Sequence, residues 1–155
     1  MDARTLHAII PIAIVAGLAL AGYAWYESAV PSAQSSCTVN GFVSCHKVDA
    51  SGLTTTFGVQ DYFIGIGGYL ILLLIDIPLL RTYERTWLYL LIGFATLGVG
   101  FSLYFAYVEL VQIGALCLVC FGSYAPNFLV WVLGLALLRE SREPVSDDAP
   151  ASKGS

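Results

Sequence analysis

Four long runs with little or no charge dominate the chain: Leu6 to Tyr26, Tyr62 to Leu80 with Asp76 as its one interruption, Thr86 to Val108, and Leu110 to Leu138. Each is near or above the roughly 20 residues that a bilayer core demands of a helix. The pattern predicts four transmembrane helices, over about 6–28, 61–80, 86–108 and 112–138. The first run is longer than the apolar region of a secretory signal, and Ser28-Ala29-Val30 is a weak cleavage cue, so a retained helix is expected. Segment 31–60 is different in kind. It opens on the turn-rich Pro31 to Ser36, passes Asn40-Gly41 and Ser51-Gly52, and carries Phe42, Val43, Leu53, Phe57 and Val59, too apolar for a free linker. A loop lying over one end of the bundle as a cap, apolar side chains down, accounts for that mixture.

The expected architecture is therefore all-α: an integral membrane four-helix bundle with a long extracytoplasmic loop between the first two helices acting as a cap. Residues 1–143 form a single membrane domain under this reading, and the Ser-, Asp- and Pro-rich 144–155 a disordered cytoplasmic tail. Composition agrees, since 57% hydrophobic against 12% charged residues leaves too little polar surface to solvate a globule of 155 residues. Basic residues set the orientation. With four alternating spans, Arg4, Arg81, Arg85, Arg139, Arg142 and Lys153 share one face and Lys47 alone lies opposite. Positive charge marks the inner side, so both termini are expected to be cytoplasmic. A net charge of −4 offers no basic patch, and nucleic acid is excluded as a partner.

That topology puts all four cysteines on one side of the membrane, although two hydrophobic spans separate Cys37 and Cys45 from Cys117 and Cys120. The outer side is the oxidising one. Cys117-Leu118-Val119-Cys120 sets two sulfurs three residues apart on one helix face, in the first turns of the last span, where the positive end of the helix dipole favours a thiolate. Cys120 lies one turn deeper, suited to a lipid-soluble acceptor, while Cys117 is nearer the loop. Cys37 and Cys45 enclose seven residues, enough for a flexible disulfide that opens when a thiolate attacks either sulfur. Position alone suggests a relay from an external dithiol to the loop pair, from Cys45 to Cys117, and from Cys120 to an acceptor in the bundle. Two blander assignments are weighed against it. Purely structural disulfides gain little from so short a loop as CxxC. A four-thiolate zinc site lacks knuckle spacing and faces the oxidising side, so no metal is expected. His46 beside Cys45 and His7 near the inner end of the first helix read as solvated and interfacial, respectively.

These residues together resemble the vitamin K epoxide reductase family, including its bacterial and archaeal homologues. The resemblance rests on Cys37 and Cys45, Ser51 six residues on, the entry Gly65-Ile66-Gly67-Gly68-Tyr69, and Cys117-Leu118-Val119-Cys120 followed by Tyr124 and Asn127. It implies a four-helix bundle around a quinone pocket, with Cys120 reacting with the quinone, Cys117 exchanging with Cys45, and Cys37 meeting a thioredoxin-like partner. It further implies Tyr124 as a hydrogen-bond donor to a quinone carbonyl, Asp61 where animal members carry an asparagine, Ser51 as a loop anchor, and Ile64 and Gly65 beside the ring. The quinone, of menaquinone, ubiquinone or vitamin K type, is substrate and electron acceptor. Animal members reduce vitamin K quinone and epoxide, whereas microbial members resemble disulfide-generating enzymes. That no fused thioredoxin-like domain follows the last helix suits a separate partner or an animal-type arrangement alike, but the short acidic tail lacks a basic retention-type ending and favours the microbial kind. The two alternatives are a vitamin K quinone or epoxide reductase using the same relay, and a non-catalytic scaffold stapled by its disulfides.

Overall fold

The computed structural model describes residues 3–30, 39–56, 58–82 and 84–140. Cys37 and the expected tail 144–155 therefore lie outside the described residues. In chain order the elements are α1 (Ala3–Ala29), a short α2 (Cys45–Ala50), the two-residue strands β1 (Thr55–Thr56) and β2 (Val59–Gln60), α3 (Asp61–Thr82), α4 (Arg85–Tyr107) running into a π-helical turn (Val108–Ile113), and α5 (Leu118–Glu140). Among these, α1, α3, α4 with its π turn, and α5 are long and apolar enough to cross a membrane.

The environment of these helices is written on their outer faces. Ile12 (68% exposed), Leu74 (67%), Leu97 (61%) and Leu103 (67%) point away from the bundle. Helices apolar on every side suit lipid as the outer solvent. Inward, Ile10, Ile14, Leu79, Leu91 and Val130 form the fully buried core. Asp76, the interruption in the second apolar run, faces inward and is 1% exposed, as an ionisable group at membrane depth should be. Pro11, Pro78 and Pro126 sit inside helices, a placement that membrane helices tolerate because neighbouring groups take up the freed backbone carbonyls.

Around the bundle α1 packs on α3 and α5, and α4 packs on those same two. Small residues set the closest approaches. A Cβ at Gly17 of α1 would collide with the Tyr69 ring of α3, and one at Gly65 would meet Ala21 at 3.5 Å. Between α4 and α5, a Cβ at Gly98 would lie 2.7 Å from Asn127 Nδ2 and one at Gly134 would lie 2.9 Å from Ile92. In both pairs residue numbers rise on one helix as they fall on the other, so the partners are antiparallel. The ends of α1 and α4 and the starts of α3 and α5 consequently meet at one end of the bundle. The Tyr69 hydroxyl reaches across to donate to the Ser123 carbonyl, tying α3 to α5.

At that end lies the connection between α1 and α3. Asn40 makes the expected turn, its Oδ1 accepting from the N–H groups of Phe42 (2.9 Å) and Val43 (2.8 Å). Val43 then pairs with Leu116 as a parallel bridge: Leu116 N–H donates to the Phe42 carbonyl at 2.8 Å, and Ser44 N–H to the Leu116 carbonyl at 3.1 Å. Ser44 caps α2 through its hydroxyl, which accepts from Lys47 N–H at 3.3 Å. After α2 the chain forms the antiparallel β1–β2 hairpin and enters α3 directly.

The third span differs from the expected 86–108. Helical backbone continues through the π turn to Ile113, Gly114 reverses the chain at φ 62°, and α5 begins at Leu118 rather than near residue 112. A charged residue in an apolar run looks like a loop in one dimension. Here Glu109 turns inward and is 1% exposed, so the helix has no reason to end there.

Candidate active site

Because Val43 pairs with Leu116, the next residues on each strand of the bridge, Ser44-Cys45 and Cys117, are brought face to face. Cys45 Sγ and Cys117 Sγ stand 3.1 Å apart although 72 positions separate them in sequence. Both are buried, at 7% and 4% exposure, against Val48, Ala115 and Ile113. Cys45 is disulfide-bonded, while Cys117 and Cys120 are free thiols. The contact joins a sulfur within a disulfide to a thiol sulfur, the pair of species between which exchange proceeds.

Cys117 is not inside a helix, as its spacing suggested, but immediately before one. Its Sγ accepts from the backbone N–H of Cys120 at 3.2 Å, so the sulfur itself occupies the position of a side-chain helix cap. That geometry points Cys117 back toward Cys45 and leaves Cys120 one turn further in.

Cys120 borders a cavity of about 400 Å³ lined by residues of all four long helices. The volume lies in the range of small-molecule sites. Its walls are apolar or small, with Ala21, Leu72, Phe94, Phe101 and Phe105 among them. Tyr124, Asp61, Ile64 and Gly65, all singled out from the sequence, line it too, together with Asn127. Ser51 does not line it. The Ser51 hydroxyl closes α2, donating to the Val48 carbonyl at 2.6 Å and accepting from Leu53 N–H at 3.2 Å, so its bonds stay within its own loop. A second, small cavity of about 30 Å³ is walled by Cys45, Cys117, Cys120 and Asp61, so that Cys120 and Asp61 border both spaces.

Residues 8–135 match the Vitamin K epoxide reductase family. The chain belongs to that family. No curated relative matches it. Membership, with the four apolar helices, makes this a multi-pass membrane protein and, in general terms, a quinone-linked thiol oxidoreductase.

A quinone fits the cavity of this family member on the structure's own terms. The space is predominantly apolar, as a hydrophobic ring requires, and carries few polar groups. One of them, Asn127 Nδ2, is buried without a hydrogen-bond partner among the described residues. A buried donor left unpaired costs about 1–3 kcal/mol, and a carbonyl oxygen in the cavity would satisfy it.

Two residues of this site were not singled out as site residues from the sequence: Asn127, seen only as part of a motif, and Glu109, which entered only as the break between the runs ending at Val108 and beginning at Leu110. Glu109 Oε2 accepts from the Cys117 backbone N–H at 3.0 Å, and Oε1 accepts from the Tyr124 hydroxyl at 3.0 Å. A signal for it existed. Glu109 is the one charged residue between Arg85 and Arg139, and a solitary carboxyl inside so long an apolar stretch is a functional candidate by default.

Proposed function

We propose that this protein is a thiol:quinone oxidoreductase of the microbial kind, which draws electrons from a thioredoxin-like partner through the Cys37/Cys45 loop pair to Cys117 and Cys120 and delivers them to membrane quinone. Disulfides are thereby generated outside the cytoplasm. The observation that carries the reading is the 3.1 Å contact between Cys45 and Cys117, with Cys120 on the wall of an apolar cavity one helical turn away. Both termini are cytoplasmic in this reading, residues 31–60 form an extracytoplasmic cap, and residues 1–143 work as one domain.

The steps follow from the positions of the sulfurs. The partner's dithiol reduces the loop disulfide. Cys45, giving up its proton, then attacks Cys117 in a Cys117–Cys120 disulfide, and Cys120 leaves and takes up that proton as a thiol; Cys37 attacks Cys45 to restore the loop disulfide, its proton passing to the released Cys117. The result is an oxidised loop and a reduced Cys117/Cys120 pair, a state supported by Cys45 being disulfide-bonded while Cys117 and Cys120 are free. Cys120 next passes two electrons to quinone as its disulfide with Cys117 re-forms. Dithiol and quinone become disulfide and quinol, with two electrons and two protons transferred. The substrate's carbonyls are held by Tyr124 and Asn127, with Ile64, Gly65 and Asp61 around the ring, and Ser51 keeps the end of α2 in place above it.

The test is quinone consumption by the purified protein in detergent, with a reduced thioredoxin-like protein or dithiothreitol as donor, comparing wild type with Cys120→Ala. Turnover with either donor in wild type and none in the variant supports the reading. Wild-type protein that reduces no quinone with dithiothreitol, or a Cys120→Ala variant that turns over normally, refutes it. In the same assay Asn127→Ala is expected to raise the quinone KM about tenfold with little change in kcat, the worth of one hydrogen bond. An unchanged KM would remove Asn127 from the binding site.

A further inference from the structure

Tyr124 cannot do two things at once. A phenol has one hydrogen to donate. In the structure it goes to Glu109 Oε1, while Glu109 Oε2 is occupied by the Cys117 N–H. A carboxyl group that accepts on both oxygens reads as a carboxylate, and a Tyr124 committed to it has no hydrogen left for a substrate in the cavity it lines. Add a proton to Glu109 at Oε1 and the bond reverses. The carboxyl then donates to Tyr124 Oη, and the hydroxyl hydrogen turns toward the cavity.

A source for that proton lies beside it. Carboxylate oxygens of Glu109 and Asp61 and the sulfur of Cys120 all fall within 4.8 Å of one another, a span that one water bridges. Every turnover of the proposed reaction must move two thiol protons onto quinone oxygens, in a site whose carboxyl is sealed from solvent.

We propose that Glu109 is the proton-transfer residue of the quinone step: it takes the thiol proton of Cys120 and passes it through the Tyr124 hydroxyl to a quinone carbonyl oxygen. The inference rests on the function proposed above. The bonds and charges balance. The Cys120 S–H bond breaks, its proton moves to Glu109, and Glu109 reprotonates Tyr124 Oη as Tyr124 releases its own hydrogen to the first oxygen. The Cys117 thiol loses the second proton when its sulfur closes the bond to Cys120. Asp61, which walls both cavities, carries that proton to the second oxygen. Two sulfurs are oxidised by two electrons in all, and the quinone leaves as quinol. Glu109 is then a carboxylate again, holding Tyr124 away from the emptied cavity until the next dithiol arrives. It touches no substrate and acts through Tyr124.

Glu109→Gln separates proton transfer from support. The amide oxygen still accepts from Cys117 N–H, and its NH₂ permanently donates to Tyr124 Oη, so Tyr124 faces the cavity but has no proton to draw on. With dithiothreitol and a short-chain benzoquinone as substrates of the full chain in detergent, the expected result is a kcat about 100-fold lower, the usual worth of positioned proton transfer. The quinone KM should be unchanged or lower. A purely structural role predicts wild-type kcat, and that outcome overturns the proposal. So does a raised KM at normal kcat, which would make Glu109 a substrate-positioning group. The double variant with Tyr124→Phe should be no slower than the slower single variant, since both interrupt one path, and multiplied losses would overturn the proposal. Wild type offers a check independent of any variant's folding: single-turnover quinone reduction slows in D2O, whereas no slowing refutes the relay. Wild-type protein that reduces no quinone would instead refute the parent reading.

Discussion

Cys45→Ala should divide the reaction into its two halves. Turnover driven by a thioredoxin-like protein is expected to fall ~1000-fold, the order lost when one member of a covalent relay is removed. Turnover driven by dithiothreitol should retain a large share of its rate. The reason is geometric. Cys117 is 4% exposed and presses against Cys45, so a protein thiol has no direct line to it. Removing the Cys45 sulfur enlarges the small cavity shared by Cys45, Cys117 and Cys120, through which a compact dithiol reaches the inner pair. Donor-resolved quinone kinetics measure both arms together. Equal loss with the two donors would mean that Cys45 supports the fold rather than carrying electrons, and equal retention would mean that the loop pair is bypassed.

The second large effect concerns the contact itself. A chain with Cys37→Ala and Cys120→Ala keeps two cysteines, Cys45 and Cys117, whose sulfurs lie 3.1 Å apart against the roughly 2.05 Å of a disulfide. Mild oxidation should link them almost completely, because only a small rotation about either side chain closes the gap and the Val43–Leu116 pairing holds both backbones. Peptide mapping under non-reducing conditions would then recover the Cys45–Cys117 cross-link, and both thiols would vanish from alkylation. Two thiols that remain fully alkylatable after oxidation would sink the exchange step from Cys45 to Cys117.

The spans were legible because the signal is local: an apolar run long enough for a bilayer reads the same wherever its neighbours are. Boundaries near polar residues were less so. The expected break at Val108 to Leu110 rested on Glu109 alone, and the helix carries on past it because the carboxyl finds donors on the next span. The cysteines stood out by spacing, and Tyr124, Ile64, Gly65 and Asp61 by resemblance, and these four line the same cavity as Cys120. Ser51, drawn from the same resemblance, bonds within its own loop. Helical spacing put Cys117 on the same helix face as Cys120. The structure instead makes Cys117 the cap of that helix, which is how its sulfur comes to face outward toward Cys45.

By itself the sequence determined that this is a chain of four membrane-length apolar segments, and which residue types hold its chemistry. Hydropathy and short spacings depend on neighbours a few residues away. Tertiary structure alone decided which of those residues meet. The Cys45–Cys117 contact spans 72 positions and depends on one backbone bridge, and the role open to Glu109 depends on Cys117 and Tyr124 arriving from the following span. A carboxyl in an apolar run has the same local signature whether it ends a helix in water or is buried against two donors. Only packing distinguishes the two.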